Sequence, residues 1–357
     1  MIGSVANSVV VVESDREIAP TLADWSPIGA DGRPVPQELS SPLRWRKARH
    51  ALVGPSSDVF DDAVTDDYIA RIWATMASAR QNTFYISTAH HRRMRILLNS
   101  QGFWEDVCSH FVRLLRVGRS RRQVLPAPQA GVPLPHVRLG VRVRDQYDAE
   151  VAVPDLLGTV AALRYVDARL SGPLDLDLPR CDCHGRDEIS LDQRGQEWCH
   201  DCVADGRTGE LSYGHWLDPL NEGIGWVVLH GEIGRDATPL HPTWVRTLRD
   251  QCIEQEAPFL FGSWGDYTCV PVVDDPDFSG GRAYEDPRGG RCAPVVRVPA
   301  SGRKSMRGAT ARLLQPGEST RRTVLLDGDT IAVRVGSAHA GRTLDGRTWD
   351  QFPSASQ

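Results

Sequence analysis

The chain has 357 residues, 24 % charged and 41 % hydrophobic, enough for one large domain or two ordinary ones with a full core. Its 41 Lys and Arg against 46 Asp and Glu leave a formal net charge of −5, so the whole-molecule field does not draw nucleic acid or an anionic membrane. No apolar run reaches the roughly 20 residues of a bilayer-spanning helix, and none reads as a signal-peptide core, which points to a cytoplasmic protein without membrane partners.

The run Ser8-Val9-Val10-Val11-Val12 reads as a first short strand. Residues 13–45 are rich in Pro, Gly and Ser and show no period, so residues 1–45 are expected to be an irregular amino-terminal segment. From there one pattern recurs: a short apolar strand, a polar end, then an amphipathic helix. The strands are Ala51–Val53, Phe84–Ile86, Val137–Val141, Tyr165-Val166, Trp226–Leu229 and Phe259–Phe261. The helices run over 66–79 with Thr65 as cap, 91–99, 104–117 and 242–255, the last opening on Pro242. Six or seven βα units over 46–265 predict an α/β, (β/α) barrel-like domain, complete or incomplete. An open doubly wound sheet uses the same units and is the alternative.

Three stretches interrupt the rhythm. Residues 175–222 form an insertion, 266–322 a Gly-, Pro- and Arg-rich excursion, and 323–357 a tail opening on a β-hairpin around Asp327-Gly328-Asp329.

The insertion carries four of the eight cysteines, in Cys181-Asp182-Cys183-His184 and Cys199-His200-Asp201-Cys202. Zinc takes four tetrahedral N or S ligands, and a pair two residues apart converges from one turn. Cys181, His184, Cys199 and Cys202 satisfy that spacing, with Cys183 in place of His184 as the alternative. Four protein ligands leave no open position, so the expected Zn2+ is structural. The bland reading is a loop with chance thiols or a redox disulfide.

At the carboxyl ends of the strands stand Asp58, His90, Asp167, His230 and Glu232, residue types suited to metal binding or proton transfer at a barrel mouth. Each of them alone is as readily a helix cap or a partner in a surface pair. Arg44 and Arg46 flank Trp45, and Arg119, Arg121 and Arg122 cluster beyond a helix end. These are the candidates for nucleic-acid contact, although cations near a helix C-terminus are stabilising in any case.

Short motifs in fixed order resemble a phage and bacterial family of unknown function whose members carry a three-cysteine motif like that of radical S-adenosylmethionine enzymes. They include Pro42-Leu43-Arg44-Trp45-Arg46, Ser57-Asp58-Val59-Phe60, Trp226-Val227-Val228, Gly231-Glu232, Trp264-Gly265 and Leu344-Asp345-Gly346-Arg347-Thr348-Trp349-Asp350. The resemblance implies a barrel-like fold and, in typical members, a [4Fe–4S] cluster on three amino-terminal cysteines. Here the first cysteine is Cys108, so no iron–sulfur cluster is expected. Other motifs depart as well. The family's Gly-Gly-Glu-Ser-Gly stands as His230-Gly231-Glu232-Ile233-Gly234, and its Lys-Gln-Trp-Gly as Gly262-Ser263-Trp264-Gly265. Its Ser-Ala-Glu-Pro stands as Asp167-Ala168-Arg169-Leu170, and its Thr-Lys-Arg-Pro as Thr88-Ala89-His90-His91. Strands kept while polar ends change imply a cluster-free, catalytically inactive relative that binds or regulates an unidentified protein or nucleic acid. An enzyme with replaced metal or acid–base chemistry at the barrel mouth, or a nucleic-acid-binding or -modifying protein, is the alternative.

Overall fold

The computed structural model describes residues 22–117, 126–176, 223–274 and 329–353, with shorter pieces at 189–191, 197–199, 216–219, 282–285, 287, 291–292, 296–297, 312–313 and 323–327. Strands β1 (Leu22–Trp25), β2 (His50–Val53), β3 (Thr83–Thr88), β4 (Val137–Val143) and β5 (Leu163–Ala168) come first. Strands β6 (Ile189–Leu191) and β7 (Glu197–Cys199) form a separate antiparallel pair, and β8 (Ile224–His230) and β9 (Phe259–Ser263) follow. The helices are α1 (Pro36–Leu39), α2 (Asp66–Ser78), α3 (His91–Leu98), α4 (Gln101–Val117), α5 (Gln146–Leu157) and α6 (Pro242–Glu254).

Helix starts follow local chemistry. Thr65 accepts from the Tyr68 N–H at the head of α2, and Asp145 from the Asp148 N–H at the head of α5. His241 does the same for Thr243, with Pro242 at the first position of α6, where its missing N–H has no partner to lose.

One parallel sheet organises the molecule, in the order β1-β2-β3-β4-β5-β8-β9. Each strand lies beside its predecessor in this sheet, so the order never reverses. A doubly wound sheet, the alternative, requires such a reversal, and the barrel-like reading therefore holds. The sheet is also curled. Strands β3 and β8 are separated by β4 and β5, which in a flat sheet would put them about 14 Å apart. Yet the rings of Tyr85 on β3 and Trp226 on β8 lie 5.4 Å apart, centroid to centroid. The result is a half-barrel. Its concave face carries Tyr85, Leu163, Tyr165, Trp226, Val228 and Leu260, and its convex face (Phe84, Ile86, Val141, Val166, Val227, Phe261) belongs to the larger core with α2, α4 and α6.

The two faces follow from the two-residue period of a strand. On β4 the sequence Val137-Arg138-Leu139-Gly140-Val141-Arg142-Val143 sends its valines and leucine outward and leaves Arg138, Gly140 and Arg142 inside. A Cβ on Gly140 would lie 2.5 Å from the Tyr165 ring, so the aromatic layer needs glycine there.

Besides helix α5, which is not among the helices read from the sequence, two features differ from the sequence reading. Strand β1 and α1 lie in the stretch read as irregular. Four residues, Leu-Ala-Asp-Trp, carry too short a period to stand out, and β1 is held by parallel pairing to β2. Second, β10 (Tyr267–Pro271) leaves the excursion and joins the predicted hairpin, β11 (Thr323–Leu325) and β12 (Thr330–Arg334), in a sheet ordered β10-β12-β11. The strand read at Ser8–Val12 lies outside the described residues.

Candidate functional site at the carboxyl ends of the strands

Alternation along β3, β4, β5, β8 and β9 places Ser87, Arg142, Asp167, His230 and Gly262 at the carboxyl-end rim of the concave face. Ser87 Oγ donates to Asp167 Oδ2 at 2.8 Å. Arg142 donates to Ser87 O at 3.1 Å and to Ser57 O at 3.2 Å, and its Nη1 stands 3.7 Å from Asp58 Oδ2. A polar chain thus links Asp58, Arg142, Ser87 and Asp167 across three neighbouring strands and the loop after β2.

Asp58 is saturated by its own surroundings. Its Oδ1 accepts from Phe60 N (3.0 Å) and Thr88 Oγ1 (2.7 Å), and its Oδ2 from Ala89 N (2.9 Å). It ties the loop after β2 to the end of β3. Glu232 is likewise engaged: Oε2 accepts from the N–H and the hydroxyl of Thr238 at 2.9 and 2.8 Å, and Oε1 lies 3.3 Å from Arg144 Nη2.

Asp167 differs. The residue is 8 % exposed, and among the described residues its Oδ1 is buried without a hydrogen-bond partner, the nearest cation being Arg169 Nε at 4.0 Å. The field of Asp167 also acts on His230. Burial pushes the His230 imidazole below its usual pKa, the Asp167 charge opposes that shift and the Arg169 charge adds to it. The imidazole is therefore held neutral beside a carboxylate.

The glycine in His230-Gly231-Glu232 has a packing origin. A Cβ on Gly231 would fall 2.2 Å from Trp264 O, and one on Gly265, at φ +74°, 2.2 Å from Glu232 O. Two loops meet there backbone against backbone, closed by Gly231 N to Ser263 O at 2.8 Å and Asp266 N to Glu232 O at 2.9 Å. A Cβ on Gly262 would lie 2.0 Å from the His230 ring, so glycine at 262 makes the space the imidazole occupies.

His90 is not part of this group. It precedes α3, its Nε2 lies 3.6 Å from Asp61 Oδ2, and it lines a separate hollow of about 390 Å³ with Asp62, Asp66 and Arg93. Arg44 donates to the hydroxyls of Ser40 and Ser41, and both Arg44 and Arg46 are exposed. Arg119, Arg121, Arg122, Cys181, Cys183, His184 and Cys202 lie outside the described residues. Cys199 is placed by its backbone alone, at the end of β7 opposite Ile189. Among the described residues no three His, Cys, Asp or Glu side chains gather as a metal-holding group. No helix among them is long and apolar enough to cross a membrane.

Sequence reasoning named Asp167 and His230 but missed Ser87 as the residue that orients the carboxylate. It also missed His50, Tyr85 and Arg138 on the same concave face. The signal was present on β4, where two arginines recur at even spacing within an apolar strand.

No curated protein and no solved structure matches the chain. A family model described as protein of unknown function (DUF5131) matches residues 15–353, and the chain belongs to that family.

Proposed function

We propose that this protein is a ligand-binding, non-catalytic member of its family, whose mouth receives a small polar ligand on Asp167 and His230. The observation that carries the reading is the buried Asp167 Oδ1, without a hydrogen-bond partner among the described residues, beside a neutral imidazole. Buried acceptors are costly to leave empty, and a ligand N–H or O–H fills such a place. Asp58 and Glu232 are already committed to backbone and side-chain donors, which leaves little acid–base machinery free.

The motif comparison supports a rebuilt mouth. Relative to the radical-SAM-like phage and bacterial family that the sequence resembles, His230 replaces Gly, Gly262 replaces Lys, Asp167 replaces Ser and Arg169 replaces Glu. His230 and Gly262 are one steric exchange, because the imidazole sits where a side chain at 262 would begin. With Cys108 as the first cysteine, the trio of thiolates that would grip a cluster is missing from the preceding residues.

The test is a thermal-shift and calorimetric screen with small amines, guanidines and amides. A binder should stabilise the wild type and lose about ten- to a hundredfold in affinity in Asp167→Asn, the worth of a charge-assisted hydrogen bond. Binding that ignores the substitution sinks the site. An iron- and sulfide-containing product of anaerobic reconstitution sinks the cluster-free reading. Turnover of a bound compound, lost in His230→Gln, would instead establish an acid–base enzyme.

A further inference from the structure

At the opposite end of the half-barrel, the amino ends of the strands open on a cavity of about 980 Å³, at the upper end of what small-molecule sites occupy. Its floor is the concave face, with His50, Tyr85 and Arg138. Part of its wall is Phe352 in the carboxyl-terminal segment.

Arg138 is the unusual group. It is 6 % exposed, and among the described residues it makes one hydrogen bond, from Nη1 to Pro135 O at 3.0 Å, and meets no carboxylate at ion-pair distance. A guanidinium has five N–H donors, so most of them are left for whatever fills the cavity. Arg164, equally buried, shows the contrast: its donors go to the carbonyls of Leu156 and Thr159. Burial without a counter-ion pulls even the Arg138 guanidinium below its usual pKa. A buried, uncompensated charge costs several kcal/mol, and in native proteins it is matched by a counter-ion or a polar network.

The neighbours of Arg138 add donors and no competing charge. Burial, with Arg138 second, keeps the His50 imidazole neutral, and burial pushes the Tyr85 phenol up to about 12. The Tyr85 hydroxyl and His50 Nδ1 share a hydrogen bond at 2.9 Å, so one of the two protons of this neutral pair is left for the cavity. The two rings stack at 5.9 Å. Neither acidic residue of the cavity is paired with Arg138: Glu256 is exposed, and Asp350 lies against Arg342.

We propose that this cavity binds a small organic oxyanion, its carboxylate or phosphate held by Arg138 and His50 and its apolar body against Phe352 and Ala257. The site is independent of the mouth, since it lies at the other end of the strands and uses none of the same residues.

Isothermal titration with benzoate, phenyl phosphate and inorganic phosphate tests it, and the three probes separate a carboxylate from a phosphate preference and show whether the apolar body matters. At least one should bind saturably to the full chain. The affinity should fall about tenfold or more in Arg138→Met, as loss of a charged hydrogen bond requires. Ile253→Trp, a filling change at a half-exposed helix position on the cavity wall, should block the same probe with the far-UV spectrum unchanged, and so serves if Arg138→Met does not fold. Asp167→Asn should bind the probe like wild type. The proposal is overturned if no probe binds, or if binding survives both Arg138→Met and Ile253→Trp.

Discussion

Three histidines are held neutral by burial, and this gives the protein a pH signature at the level of single residues. His136 is pulled below its usual pKa chiefly by burial, against the opposing effect of its hydrogen bond to Met76 O at 2.8 Å. His50 and His230 are lowered by burial too, helped by Arg138 and by Arg169 respectively. In the unfolded chain each returns to about 6.5. Below that pH the unfolded state therefore binds more protons than the folded one, so the stability these groups contribute is complete above about pH 6.5 and is lost as the pH falls toward their folded values. Each histidine adds a slope of at most about 1.4 kcal/mol per pH unit. The carboxylates held low by arginine, Asp266 beside Arg334 and Asp345 beside Arg246, titrate below the usual carboxylate range and leave this window to the histidines. The urea midpoint should be level from about pH 8 to 7 and fall steadily from about 6.5 to 5. In His136→Gln, which keeps a donor for Met76 O, the fall should be shallower whatever the starting stability. An equal slope in variant and wild type would remove His136 from the account.

At the scale of elements, the open edge of the half-barrel needs a cover, and the carboxyl-terminal segment supplies it. Strand β9 would otherwise present unpaired N–H and C=O groups, a template for association with other chains. Phe261 N donates to Trp349 O at 2.8 Å, Gln351 N to Phe259 O at 3.2 Å, and Leu260 and Asp350 form an antiparallel bridge. Trp226 Nε1 donates to Gln351 O at 2.9 Å, and Phe352 packs on the Trp226 ring at 5.2 Å. Removing residues 349–357 uncovers both the edge and the concave aromatic layer. The shortened chain should lose about 3 kcal/mol or more in urea unfolding, the scale of deleting large buried aromatics, and should self-associate in gel filtration. A monomer with the wild-type midpoint would show that the segment merely rests on the sheet.

The edge cover also marks the limit of what the sequence makes legible. Strands β3, β5, β8 and β9 and helices α2 and α6 follow from local period and capping, and they appear within a residue or two of their expected bounds. Trp349-Asp350-Gln351-Phe352 has no strand pattern of its own, because its partners lie about ninety residues earlier, in β9. The mouth was legible through the rule that chemistry gathers at strand carboxyl ends. The same rule drew attention away from Arg138, at the amino end. His90 was placed in the mouth by its position after β3, but the turn into α3 carries it to Asp61.

For the molecule as a whole, the sequential strand order leaves one connection out of proportion. β5 and β8 are neighbours in the sheet, yet residues 169–223 run between them. A parallel crossover needs about a dozen residues, so most of this stretch is additional to the barrel. Small inserted units commonly draw on a disulfide, a metal or a partner for their stability. The stretch brings Cys181, Cys183, His184, Cys199 and Cys202 in spacings that suit one zinc ion. Protein purified without chelator should carry about one equivalent of zinc, as closed structural sites do. Cys199→Ser and Cys202→Ser should each lose it, and comparing Cys183→Ser with His184→Ala should identify the remaining ligand. Because the insertion joins two strands that are already paired, metal loss should increase proteolytic cutting within 177–215 and leave the main unfolding transition close to its wild-type midpoint. Metal analysis that finds no zinc in the wild-type protein, or zinc retained in both cysteine variants, would remove the claim.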